Sequence, residues 1–97
     1  MAKGYWVVNL KVDDTEAYVA YQNFVRPFLV ASGGRFVVRG GQQIVAEGEA
    51  LPRTVVVEFA SFAEAERVYY SDEYQTGMQA RLTASSANFL IVEGFDG

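Results

Sequence analysis

The chain has no cysteine and no histidine. Without cysteine there are no disulfides, no thiolate nucleophile and no Cys-ligated metal. Without histidine, Ser-His-Asp triads, His-ligated zinc and His-ligated haem are excluded too. Acid–base chemistry is left to Asp, Glu, Tyr and Lys. Anion binding is left to Arg, Lys and backbone N–H groups. Basic residues are also few: eight Lys and Arg stand against twelve Asp and Glu, a formal net charge of −4. That balance disfavours a nucleic-acid partner, whose phosphates select a basic field. No apolar run approaches the ~20 residues of a membrane-spanning helix, and the N-terminus carries no secretory pattern. A soluble cytoplasmic protein without membrane association is expected.

What is present argues for a folded domain. Apolar residues make up 51 % of the chain, which is too apolar for disorder. Its 97 residues suit one domain, 1–97, with an adequate core. Residues 5–12, rich in β-branched and aromatic side chains, read as a strand. Asp13 or Asp14 can cap a following helix over 14–31, where Tyr18, Tyr21, Val25 and Leu29 recur at helical spacing. Pro27 falls inside that pattern and predicts a kink or break near Phe24–Arg26. Gly33 and Gly34 end the helix. Residues 35–39 form a second strand, 42–47 a short extra strand or arm, and 53–60 a third strand. Ser61 to Glu64 is a capping box opening a helical stretch over 62–84, with a break near Ser71. Residues 87–95 are the last strand. The order β-α-β-β-α-β is the ferredoxin-like pattern, an α+β fold with a four-stranded antiparallel sheet and its helices on one face.

Period-two alternation then assigns faces. Trp6/Val8/Leu10, Phe36/Val38, Val55/Val57/Phe59 and Leu90/Val92 are expected under the helices. Tyr5/Val7/Asn9/Lys11, Arg35/Val37/Arg39, Thr54/Val56/Glu58 and Phe89/Ile91/Glu93 fall on the opposite face. That second face is too apolar to stand bare in water. A second copy of the chain, sheet toward sheet, would cover it and enclose a barrel-like cavity.

Glu58 lies between apolar neighbours on the face assigned to Asn9, Arg35 and Arg39. It is a candidate general acid or base; an ion pair with Arg39 or Arg35 suits the same position. Arg35 and Arg39 suit a carboxylate or phosphate in bidentate fashion, or pairing with Glu58, Glu93 or a partner-chain acid. Asn9 is placed to orient a ligand oxygen or to satisfy a neighbour's hydrogen bond. Tyr70 and Tyr74, near the helical break, are candidates for a cavity mouth or for packing. Arg81 reads as a solvated or ion-paired helix residue. The glycine pairs beside the second strand lack the spacings of phosphate loops and read as turns.

Tyr5-Trp6-Val7, Gly33-Gly34-Arg35-Phe36-Val37-Val38-Arg39-Gly40-Gly41, Arg53-Thr-Val-Val-Val-Glu58-Phe59, Ser71-Asp-Glu-Tyr-Gln75 and Val92-Glu93-Gly94 occur in order. With these motifs the chain resembles the domain-of-unknown-function family thirteen-thirty, in the dimeric α/β-barrel superfamily, over nearly its full length. Ala60 and Asp72 stand where the family pattern has proline, departures that touch turn and helix-start geometry more than a cavity. The resemblance implies a ferredoxin-like subunit and a homodimer, and it imports no activity; no cofactor is expected. Superfamily relatives include small monooxygenases, muconolactone-isomerase-like enzymes and haem-degrading enzymes, the last dependent on the histidine this chain lacks. The expectation is a small-molecule-binding protein or cofactor-independent enzyme, with a cavity at the homodimer barrel for a small anionic or aromatic ligand. A non-catalytic interaction dimer is the alternative.

Overall fold

β-branched and aromatic residues dominate Gly4–Val12, which forms a strand, β1, at the heart of the sheet, with buried and part-exposed residues alternating along most of it. The computed structural model describes residues 2–96. After β1 come the helix α1 (Thr15–Ala31), the strands β2 (Arg35–Arg39) and β3 (Arg53–Phe59), and three short helices: α2 (Phe62–Tyr69), α3 (Asp72–Gly77) and α4 (Gln79–Ala84). The strand β4 (Ser85–Glu93) closes the order. The strands lie β2-β3-β1-β4, and every neighbouring pair is antiparallel. This is the ferredoxin-like arrangement the element order predicts. Among the described residues no helix is long and apolar enough to cross a membrane.

Capping chemistry sets the helix ends. The Asp14 carboxylate accepts from the Ala17 amide, the Ser61 hydroxyl from Glu64 and the Ser71 hydroxyl from Tyr74. At the end of α1 the Gly34 amide bonds the Leu29 carbonyl and the Gly33 amide bonds Val30. Gly33, at φ 87°, supplies the left-handed residue this C-terminal motif requires.

Helix α1 runs unbroken through Pro27, where a kink or break is expected from sequence. Pro27 and Asn23, whose carbonyl the proline leaves without its helical donor, are both exposed. Water can serve that carbonyl, so the helix tolerates the loss. Residues 42–47 form neither a strand nor a helix. The stretch after Ser61 divides into three helices rather than two, with Met78 joining the second and third.

Two strands differ from the face assignment. In β4, Phe89 pairs with Val8 and Ile91 with Trp6, so Phe89 and Ile91 lie under the helices. Leu90 and Val92 are on the open face, 52 % and 39 % exposed. Both faces of this strand are apolar, and the larger aromatic wins the inner position, its ring 5.2 Å from Trp6 and 4.9 Å from Tyr69. In β2 the register shifts between Phe36 and Val38: Arg35 pairs with Glu58 and Phe36 with Val57, then Val38 with Val56 and Arg39 with Val55. Val37 is the extra residue of a bulge, which inverts the facing of everything after it. The two arginines, expected on one face, therefore lie on opposite faces of the sheet.

The core lies between sheet and helices. Trp6 is at its centre, donating its indole N–H to the Ala65 carbonyl at 2.8 Å and packing against Phe59 and Tyr74. The molecule is two layers deep, 38 × 36 × 17 Å, with the far side of the sheet uncovered.

Candidate functional site

On the open face, Glu58 meets Arg35. Their Oε1 and Nη2 atoms are 3.5 Å apart, and the Tyr5 hydroxyl donates to Glu58 Oε2 at 3.4 Å. Direct cross-strand pairing of Arg35 with Glu58 and of Tyr5 with Glu58 brings the three together. Arg39 is not part of this group. Asn9, also on the open face, fastens the loop after β2. Its Oδ1 accepts from the Leu51 amide at 2.8 Å, and its Nδ2 donates to the carbonyls of Leu51 and Arg53 at 3.0 and 3.1 Å. Gln43 donates to the same Leu51 carbonyl and accepts from Thr54. These interactions satisfy most of the polar capacity of Asn9.

The helix side carries a different arrangement. One row of facing residues crosses all four strands: Arg39, Val55, Val8 and Phe89. The next row is Arg53, Leu10 and Ala87. With three strand spacings of ~4.8 Å, the first row is about 14 Å long. Above this floor lie Tyr18, Tyr21 and Val25 of α1. Between floor and roof is a cavity of about 40 Å³, room for more than one water-sized group. Arg26 and Arg39, both exposed, stand at its rim. Arg53 is half-buried, its guanidinium carbon 5.9 Å from the Tyr18 ring. Arg81 closes the far end, only 5 % exposed, between the rings of Phe89 (5.3 Å) and Tyr21 (5.8 Å).

Four of the six arginines thus line one cavity, and no Asp or Glu lines it. None of the four forms an ion pair among the described residues. The Nε atoms of Arg53 and Arg81 are buried without a hydrogen-bond partner. Arg81 also donates weakly to the Met78 sulfur, 3.8 Å away. Gly40 makes room for Arg53: at φ +71°, a Cβ there would lie 2.3 Å from the guanidinium.

Beside Arg81 the Tyr21 and Tyr74 hydroxyls share a buried hydrogen bond of 2.8 Å. Burial pushes the Tyr21 phenol far above its usual range, and Tyr74 adds to the effect. Burial raises Tyr74 as well, with Arg81 opposing it in part. For Arg81, burial works against the charge, but the facing tyrosines outweigh it and hold the group above its ordinary value. At neutral pH both phenols keep their protons and Arg81 keeps its charge.

The residues singled out from sequence therefore separate. Arg35, Glu58 and Asn9 lie on the open face, and Arg39 lies at the cavity rim. Tyr74 is wholly buried in the core, while Tyr70 is 65 % exposed, with its ring edge on Tyr69. Arg53 is the cavity residue that sequence reasoning passes over; Arg81, expected as a solvated or ion-paired helix residue, is instead buried and forms no ion pair among the described residues. For Arg81 a signal exists: Tyr74, Met78, Arg81 and Ala84 have the spacing of one buried helical stripe, and all four are buried. Among the described residues no group of three or more Asp, Glu, His or Cys side chains gathers to hold a metal.

Several solved structures share this fold. A protein of unknown function from Rhodopseudomonas palustris matches with a TM-score of 0.76 at 16 % identity, over 99 % of this chain and 85 % of its own. SnoaB, a cofactor-independent oxygenase from Streptomyces nogalater, matches with a TM-score of 0.65 at 11 % identity, over 100 % and 97 %. An ethyl tert-butyl ether d (ethd) family protein from Bacillus halodurans matches at 0.57 and 11 %, over 98 % and 100 %. At such identities the likeness is one of fold. No curated protein matches the chain. The sequence itself, however, matches one family model over residues 3–95, and the chain belongs to that family, the domain of unknown function DUF1330.

Proposed function

We propose that this protein is a cytoplasmic homodimer that binds a small organic molecule in the cavity between helices and sheet, one site in each subunit. The observation that carries this reading is the cavity: an apolar floor and an aromatic roof, with polar groups confined to its ends. That division of apolar and polar lining is the form of a small-molecule site, and at about 40 Å³ the enclosed space has to widen toward its rim to take a ligand of more than a few atoms. It differs from a cavity enclosed between two sheets, because every wall comes from a single chain.

Binding is favoured over acid–base catalysis. The lining holds tyrosines and arginines as its titratable groups. No carboxylate lines the cavity, so the walls offer no carboxylate or imidazole base. Structural likeness to a cofactor-independent oxygenase is compatible with chemistry in such a cavity, and in that case the reacting proton would have to leave from the substrate to solvent. Arg35, Glu58 and Tyr5 take a holding role at the subunit interface.

Methyl-resolved NMR with a library of small aromatic and aliphatic compounds tests the site. Binders should shift the methyls of Val8, Leu10, Val25 and Val55 and quench Trp6, the single tryptophan, which lines the same cavity. Shifts confined to Val7, Val56 and Leu90 would move the site to the open face and refute the reading.

A further inference from the structure

We propose that the helix–sheet cavity selects an amphipathic organic anion, a carboxylate on a flat apolar body, and that Arg53 and Arg81 hold its charged end. The proposal deepens the binding reading above and rests on it.

The charge inventory carries it. The protein is acidic as a whole, yet the cavity between sheet and α1 is lined by four arginines and no acid. A buried guanidinium normally finds a carboxylate, because a desolvated charge without a counter-ion is costly. Arg81 is 5 % exposed and has two aromatic rings, a thioether and the neutral Tyr74 phenol instead of an acid. Cation–π contact offsets part of the desolvation, but it leaves the in-plane N–H donors free. Arg81 Nε and Arg53 Nε are such donors.

Both arginines reach the same aromatic roof. Arg53 lies against Tyr18 and Arg81 against Tyr21, and these rings are 5.7 Å apart. A carboxylate held at this tyrosine pair would accept charge-assisted hydrogen bonds from planar donors. Val8, Leu10 and Val55 then receive the apolar body. Arg26 and Arg39 at the rim give the entrance the same sign of field, which draws an anion in and turns a cation away. The Gly40 cradle belongs to the same design, since any side chain there would push Arg53 aside.

Three probes of one shape separate charge from bulk: 3-phenylpropanoate, 3-phenylpropan-1-ol and 3-phenylpropylamine, titrated calorimetrically into the native protein and into Arg53→Met and Arg81→Met. The acid is expected to bind about tenfold or more tighter than the alcohol, the range of hydrogen bonds to charged groups, with the amine weakest. Each variant should bring the acid's affinity down toward that of the alcohol. Arg53 is only half-buried, so Arg53→Met keeps the test available should Arg81→Met fold poorly. Equal affinity for acid and alcohol, or preference for the amine, overturns the anion assignment and leaves the cavity reading standing. Preference for the acid that survives both substitutions overturns the role of these arginines. Failure of all three probes to bind at millimolar concentration overturns the cavity reading and the inference together.

Discussion

At the scale of single residues, the Tyr21–Tyr74 pair shows how much a buried polar contact depends on both partners. Each phenol bonds the other at 2.8 Å in the core, with the buried Arg81 guanidinium beside them. Tyr21→Phe should cost about 1–3 kcal/mol, because Tyr74 then keeps Arg81 alone as a polar neighbour. Adding Tyr74→Phe should recover much of that loss, since no unsatisfied hydroxyl then remains. Urea denaturation of the two single variants and the double variant measures the coupling. The same pair sets an alkaline limit. Both phenols are raised above their unfolded value by burial. Above pH ~10 the unfolded chain releases these protons and the folded chain keeps them, so folding stability is full below that pH and falls as pH rises. Each tyrosine contributes a slope of up to about 1.4 kcal/mol per pH unit. Denaturation curves between pH 9 and 11.5 should show the decline in the native protein and a flatter profile in the double phenylalanine variant. At Gly40, alanine meets both a left-handed backbone and the Arg53 guanidinium. Gly40→Ala should lower stability by about 1–3 kcal/mol and weaken binding of 3-phenylpropanoate more than that of 3-phenylpropan-1-ol. Equal weakening of both ligands would detach Gly40 from the arginine.

At the scale of elements, α1 prompts a prediction of its own. Pro27 costs the helix a hydrogen bond, but on the solvent side. Pro27→Ala should therefore raise the melting temperature only slightly, well below the ~3 kcal/mol effect of removing a buried helical proline, because Asn23 is exposed to solvent that can serve its carbonyl and the unfolded chain gains freedom. A large gain in a thermal melt would mean that the proline strains the helix. The elements themselves were legible in the sequence, because caps, glycines and apolar spacing act locally. Ser61, Ser71 and Gly33 mark their boundaries through bonds to neighbours a few residues away. Facing was harder to read. A strand with one polar face declares its orientation, as β1 does with Asn9 and Lys11. In β4, Phe89 and Ile91 compete with Leu90 and Val92, and hydropathy alone gives no preference. In β2 a single bulged valine moves Arg39 through the sheet, and nothing within Arg35–Arg39 signals it. The candidate site was lost at that step: with Arg39 misplaced, the arginine cavity was divided between two faces. Arg53 and Arg81 are recovered only when tertiary pairing sets Arg53 beside Leu10 and Arg81 over Phe89.

At the scale of the whole molecule, the sheet has two apolar rows on opposite faces, and the helices cover one. The uncovered row is Val38, Val56, Val7 and Leu90, one residue from each strand and facing solvent across the full width of the sheet. Val38 and Leu90 are 42 % and 52 % exposed. Beside it the Arg35, Glu58 and Tyr5 row supplies the polar margin usual at an interface. The 38 × 36 Å outline of the molecule is ample for the ~800 Å² that each partner contributes to a standard interface. A two-fold partner presenting the same row would bury it without further elements. Light scattering at micromolar concentration should therefore give twice the 10.7 kDa chain mass, and Val56→Lys should halve it by placing a charge in the middle of the apolar row. A native protein that scatters as a monomer ends the dimer reading. The ligand site does not depend on it, since the cavity walls come from one chain. Val56 points away from the cavity, so the monomeric variant should still show Trp6 quenching by 3-phenylpropanoate. Loss of quenching in a folded Val56→Lys monomer would mean that the second subunit shapes the site across the sheet.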